Sequence, residues 1–152
     1  MKSSILSLRH IGIVTRDMKT SLEFYKDFLG FEIKSDEIES EEYIEKMYGI
    51  RELALDIKKM KHPHFEAMIE LIEYKNPQPN EVSEKNRDTG LDHRGMTHFA
   101  LQVENADELY KRAQERGHTC INPPQVTPNA FAKVFFLKTP EGHYVECTEV
   151  LK

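Results

Sequence analysis

The chain lacks tryptophan, has only two cysteines in 152 residues, and contains neither a long apolar run nor an excess of positive charge. Each shortage excludes something. Cys120 and Cys147 cannot form the disulfide framework on which small secreted domains rely. Neither has an adjacent Cys or His to activate it as a nucleophile, so both read as small, reduced, half-buried side chains. A net charge of −5 argues against nucleic acid as the main partner, because phosphate binding wants a basic surface. No segment approaches the roughly 18 apolar residues of a membrane span. Met1–His10 carries Lys2 and Arg9 around a few apolar residues, too short and interrupted for a secretory signal. The expectation is a cytoplasmic protein that binds neither membrane nor nucleic acid. With 39% hydrophobic and 31% charged residues, the composition is that of a globular domain. The length fits one compact domain or two half-size modules sharing a core.

What is present is a repeat of order. Leu8–Val14 is a short β-type run, followed by Asp17 as a helix N-cap. Met18, Leu22, Tyr25, Phe28 and Leu29 recur at helical spacing, and Gly30 stands where a C-terminal cap belongs. Strands are expected over Phe31–Ile38, Arg51–Ile57 and Phe65–Tyr74, with a short helix over Glu41–Tyr48 ending at Gly49. Residues 76–95 are polar, with two prolines and two glycines, and read as a linker. The order then begins again, with a strand at Met96–Val103, Asn105 as N-cap, and a helical face of Ala106, Leu109, Tyr110 and Ala113 closed by Gly117. Strands at His118–Asn122, Lys133–Lys138 and Tyr144–Val150 finish the chain, the last two joined by the turn Thr139–Gly142. Residues 1–75 and 96–152 thus each spell strand, helix, three strands: an α+β fold of two tandem βαβββ modules in one compact domain.

Matching positions in the halves carry matching chemistry. His10 opens HIGIV and His98 opens HFALQV; each half closes on a strand with a recurring acid, ELIEY at 70–74 and ECTEV at 146–150. From His to the helix-closing Gly is 20 residues in the first half and 19 in the second. The His-to-Glu interval is 60 against 48, and the short helix near Glu41 accounts for most of the extra 12. Strand side chains alternate between faces. His10, Gly12 and Val14 therefore share a face, as do His98, Ala100 and Gln102; Met68, Glu70 and Ile72; and Tyr144, Glu146 and Thr148. A lone histidine at a strand start is usually structural, and a lone Glu70 would be an edge residue. Recurrence of the pair changes that, because a charge among apolar strand residues needs a partner or a metal. Two imidazoles and two carboxylates suit a divalent transition metal (Zn, Ni, Co, Mn or Fe) with room left for water or substrate.

The stretches HIGIV, SLEFYKDFLGFEI, IELIEY, THFALQV and TPEGHYVECTEV, in that order over nearly the whole chain, resemble the vicinal oxygen chelate superfamily. That superfamily includes glyoxalase I, methylmalonyl-CoA epimerase, extradiol dioxygenases and fosfomycin- and bleomycin-resistance proteins. The resemblance implies paired βαβββ modules forming a cupped mixed sheet around a metal, with ligand roles for His10, Glu70, His98 and Glu146, and a homodimer. It implies a glyoxalase I-like isomerase or lyase that moves a proton through an enediolate on a small carbonyl or thiohemiacetal substrate. Glu146 is then the expected base, and Glu70 the alternative or second proton-transfer group.

Two alternatives stand beside it. Glu70 matches glyoxalase I, where the epimerase usually has Gln, yet Lys85-Asn86 and Gly90-Leu91 in the long loop look more like the epimerase. A protein resembling the bleomycin-resistance type would bind a ligand without chemistry. Extradiol dioxygenases would use only His10, His98 and Glu146, and fosfomycin-type enzymes also use three ligands, so the second carboxylate counts against both. Elsewhere, His62-Pro63-His64 reads as a polar turn before a metal site. His93, His118 and His143 read as surface or loop histidines. Tyr48, Arg51, Tyr74, Arg94 and Lys133 are lesser candidates for gripping an anionic substrate.

Overall fold

The computed structural model describes residues 6–78, 91 and 95–151. It divides into two compact units, Met1–Glu81 and Val82–Lys152. Each is a four-stranded mixed sheet with a helix, and the two have the same topology.

In the first unit, β1 (His10–Thr15) leads into α1 (Met18–Leu22), which continues as a π-helical segment, Glu23–Phe28. Asp17 caps α1 as expected, its carboxylate accepting from the Lys19 and Thr20 amides. In the widened segment the Leu29 N–H donates to the Phe24 carbonyl at 3.0 Å, five residues back. Phe24, Tyr25 and Phe28 are all buried there. Gly30 then takes φ +83°, a left-handed conformation that glycine adopts without strain. β2 (Glu32–Glu39), α2 (Glu42–Tyr48), β3 (Ala54–Lys61) and β4 (Met68–Asn76) follow, in sheet order β1-β4-β3-β2. The strand expected from Arg51 starts later. Glu52 has φ +56° and its amide donates to Glu45 Oε1, so the chain is still turning at the end of α2.

The second unit repeats the plan with β5 (His98–Gln102), α3 (Ala106–Glu115), β6 (Gln125–Val126), β7 (Ala132–Lys138) and β8 (Tyr144–Val150), in order β5-β8-β7-β6. Asn105 caps α3 by accepting from the Glu108 amide at 2.9 Å. The strand expected over His118–Asn122 is corrected: only Cys120 forms a bridge there, to Leu137, and the strand proper is Gln125–Val126. The reason is Pro123-Pro124, which can donate no ladder hydrogen bonds and break the pairing between those two points.

One face of each sheet packs on its helix. Ile13, Ile69, Leu71 and Met60 are buried with the α1 aromatics in the first unit; Phe135, Leu137, Val145 and Cys147 with Ala106, Leu109 and Ala113 in the second. The helix is tied to the sheet in the same way twice. Glu73 of β4 accepts from the Met18 amide at 3.1 Å, and Glu149 of β8 accepts from the Ala106 amide at 2.8 Å. A carboxylate at a helix N-terminus satisfies an orphan donor and complements the dipole.

The first unit adds a second core on the opposite sheet face. Ile44 of α2 packs with Leu53, Leu55, Ile57 and Ile72, flanked by Val14, Ile50 and Tyr74. In the second unit no helix stands between β6 and β7, whose connection is too short to hold one. Among the described residues no helix is long and apolar enough to cross a membrane.

Two outcomes follow. Glu149→Ala, which strands the fully buried Ala106 N–H, is expected to cost about 1–3 kcal/mol in urea unfolding, with Glu149→Gln costing less because it keeps an acceptor; a cost within about 0.5 kcal/mol would rule out the tie. Burial pushes the Cys147 thiol up to about 12. The unfolded thiol ionises at about 8.5, so between these values the unfolded state binds fewer protons and stability must fall as pH rises. Cys147→Ala is expected to flatten that decline; an unchanged slope in alkaline unfolding curves would contradict it.

Candidate metal-binding half-sites

Parallel pairing of the first and last strand builds the same arrangement in each unit. In the first, β1 pairs with β4 so that Gly12 lies opposite Glu70, two residues beyond His10. In the second, β5 pairs with β8 so that Ala100 lies opposite Glu146, two residues beyond His98. The histidine and glutamate are thus diagonal neighbours on one face, within reach of each other across a small residue. A bulky side chain in place of Gly12 or Ala100 would stand between them.

The side chains do meet. His10 Nε2 and Glu70 Oε2 are 4.0 Å apart; His98 Nε2 and Glu146 Oε2 are 3.2 Å apart. Within either unit, among the described residues, no third His, Cys, Asp or Glu joins its pair to complete a metal-binding group. Each unit therefore supplies two of the four sequence-predicted ligands, one nitrogen and one oxygen.

The environments of the pairs differ. Glu70 is only 9% exposed, and among the described residues its sole polar neighbour within ion-pair distance is His10. Glu146 is less buried and better held: Thr148 Oγ1 donates to its Oε1 at 3.0 Å. His98 Nδ1 is 2.7 Å from the Thr97 hydroxyl, and its ring meets Phe136 edge to face at 5.4 Å. Phe136 stands opposite Glu146 in the β7–β8 register, so the apolar ring shares the face of the pair.

The donors fit a divalent cation. Two ligand atoms each about 2.1 Å from one metal at a near-tetrahedral angle lie roughly 3.4 Å apart, close to the His98–Glu146 separation. The His10–Glu70 pair is wider. Among the described residues no hydrogen-bond donor holds the Glu70 carboxylate, which leaves its oxygens open to a cation.

The lesser candidates separate clearly. Tyr48 ends α2 and is 39% exposed; partial burial, then Tyr74, Glu70 and Glu39, push its hydroxyl above the usual tyrosine range. It therefore lies in the electrostatic neighbourhood of two carboxylates, Glu70 and Glu39, a poor place to grip an anion unaided. Tyr74 packs against the Ile44 cluster, and Arg51 lies in the turn after α2. Lys133 is on the helix-side face of β7, in an ion pair with Asp107. His62 is a packing residue: its ring stacks on Phe65 at 5.1 Å and Nδ1 accepts from the His64 amide. Burial, then His64, hold its pKa down, against a smaller opposing effect of Glu32. Burial, then Arg116, likewise hold His118 down. His143 is exposed in the turn before β8. His93, Arg94, Lys85, Asn86 and Gly90 lie outside the described residues.

Sequence reasoning missed Glu73, Glu149, Thr97 and Thr148. The signal for the first two was present: glutamates three apart on a strand fall on opposite faces, so ELIE and ECTE each send one acid to the histidine and one to the helix.

A family model described as the Glyoxalase/Bleomycin resistance protein/Dioxygenase superfamily matches residues 7–147. The chain belongs to that superfamily. It is 28% identical over 148 residues to the uncharacterized protein YraH of Bacillus subtilis (strain 168), covering 96% of this chain and all of that one. Its fold is similar to that of a glyoxalase family protein from Bacillus cereus, with TM-score 0.86 at 18% identity over 99% of this chain and 98% of the other. It is also similar to TnmS3, an antibiotic binding protein from Streptomyces sp. CB03234, with TM-score 0.63 at 16% identity over 97% and 98%. The superfamily's tandem-module fold is thus the fold of this chain, with its repeated histidine and glutamate on equivalent strands.

Proposed function

We propose that the protein is a metal-dependent lyase or isomerase of the glyoxalase I kind, acting on a small carbonyl compound or thiohemiacetal. One divalent cation (Zn, Ni, Co, Mn or Fe) would be held by His10, Glu70, His98 and Glu146. The observation that carries the reading is the repetition of one His–Glu pair at the same strand register in both units. A structural role explains one such pair easily; it does not explain why each unit places the same two ligand types diagonally across a small residue.

The bound cation would supply a Lewis acid that offsets negative charge developing on the substrate's oxygen. The protein's own part is proton transfer. Glu146 takes the proton from the carbon beside the carbonyl, the C–H electron pair moves toward the carbonyl oxygen, and the carboxyl returns the proton to the former carbonyl carbon while the first carbon's hydroxyl proton passes to the neighbouring oxygen. Glu70 is the second proton-transfer group. Returning the proton to the opposite face of the same carbon would be an epimerisation, which asks for the same residues and a different substrate.

A second reading is a binding protein without chemistry. Fold likeness to a protein named as antibiotic-binding favours it, as does the ring of Phe136 beside His98. Metal content separates the two. The enzyme reading expects about one divalent metal per chain in the purified protein, the number that four protein ligands hold. It also expects turnover of methylglyoxal with glutathione, or failing that of methylmalonyl-CoA. Glu146→Gln should keep the metal and lower turnover about 100-fold or more, the contribution of a positioned base. A metal-free protein inert on both substrates would leave the binding reading standing.

A further inference from the structure

The two half-sites differ in how firmly their ligands are held, and the difference lies in two hydroxyls. Thr97 Oγ1 is 2.7 Å from His98 Nδ1, and Thr148 Oγ1 donates to Glu146 Oε1 at 3.0 Å. Both contacts fall on the ligand atoms' far sides. With a cation bound, Nδ1–H would donate to Thr97 Oγ1 and leave the His98 lone pair on Nε2, the atom 3.2 Å from Glu146 Oε2. With Thr148 on Oε1, the carboxylate presents Oε2 in the same direction. Thr148 stands two residues beyond Glu146 on the same strand face, and Thr97 immediately precedes β5.

Among the described residues the first unit has nothing equivalent. The corresponding positions are Arg9 before His10 and Ile72 beyond Glu70, and Ile72 is committed to the Ile44 cluster. There the pair stands 4.0 Å apart.

From this asymmetry we infer that Thr97 and Thr148 are positioning residues that hold His98 and Glu146 ready for a cation, making the second unit's pair its primary anchor. The inference rests on the metal-binding reading above. Groups that orient metal ligands from behind change affinity by roughly 10- to 100-fold when removed. Valine matches threonine in shape and suits a strand, so Thr97→Val and Thr148→Val remove the hydroxyls with little change in packing.

The test is titration of the chelator-treated full chain with Co2+ alone, followed by its visible absorption and by calorimetry. Wild type is expected to bind. T97V and T148V should each bind about 10-fold more weakly or worse, and T148S, which restores the hydroxyl, should return to near wild-type affinity. Urea unfolding of the metal-free variants should still show one cooperative transition, so that weaker binding cannot come from a lost fold. If wild type binds Co2+ and both valine variants bind equally well, the positioning role is overturned and the metal reading survives. If wild type binds no Co2+, the metal reading falls, and this inference with it.

Discussion

The arrangement depends on one constraint: in each unit the first strand pairs in parallel with the last. A parallel ladder fixes which residues of two sequence-distant strands are opposite, and the two-residue period of a strand fixes which face each presents. Together these bring His10 to Glu70 across 60 residues and His98 to Glu146 across 48. No local signal joins either pair. A register slip of one residue would turn the glutamate into the helix-packed core and Glu73 or Glu149 out of its place at the helix N-terminus. The stability of the helix–sheet contact and the presentation of the ligand are therefore set by the same alignment.

That dual use explains why the closing motif has two acids. In ELIEY and ECTEV the first glutamate faces the histidine and the second crosses to the helix side, where the Met18 or Ala106 amide donates to it. The interval of three residues serves both faces of a strand, whereas two or four would put both carboxylates on one face. The units diverge in what covers the ligand face. In the first, the inserted α2 brings Ile44 onto it, and Glu70 on that face is 9% exposed. In the second, the face keeps Phe136 beside His98, and polar support comes from threonines.

Much of this was legible in the sequence because the elements are bounded by residues with one physical role. Asp17 and Asn105 cap helices as their side chains suggest, and Gly30, Gly49 and Gly117 take left-handed conformations where the helical patterns end. The four candidate ligands stand out through recurrence rather than through any single motif. Boundaries failed where a turn or proline overrode a strand-like composition. Apolar residues around His118–Asn122 suggested pairing that Pro123-Pro124 interrupt, and the run from Arg51 hid a residue at positive φ. The supporting threonines were not legible, because a hydroxyl beside a histidine is common and only geometry shows which atom it meets. The widened turns of Glu23–Phe28 follow from no propensity in those residues that an ordinary helix would not also satisfy.

The unequal half-sites suggest how such a repeat can be tuned. Two copies of a module that supply identical ligands would hold a cation symmetrically, with no group distinguished from its twin. Here one pair is close, hydrogen-bonded from behind and partly exposed, while the other is wider and its carboxylate, among the described residues, accepts no hydrogen bond. The tighter, hydroxyl-backed pair and the wider, more buried one are therefore not interchangeable, although the repeat places them at the same register.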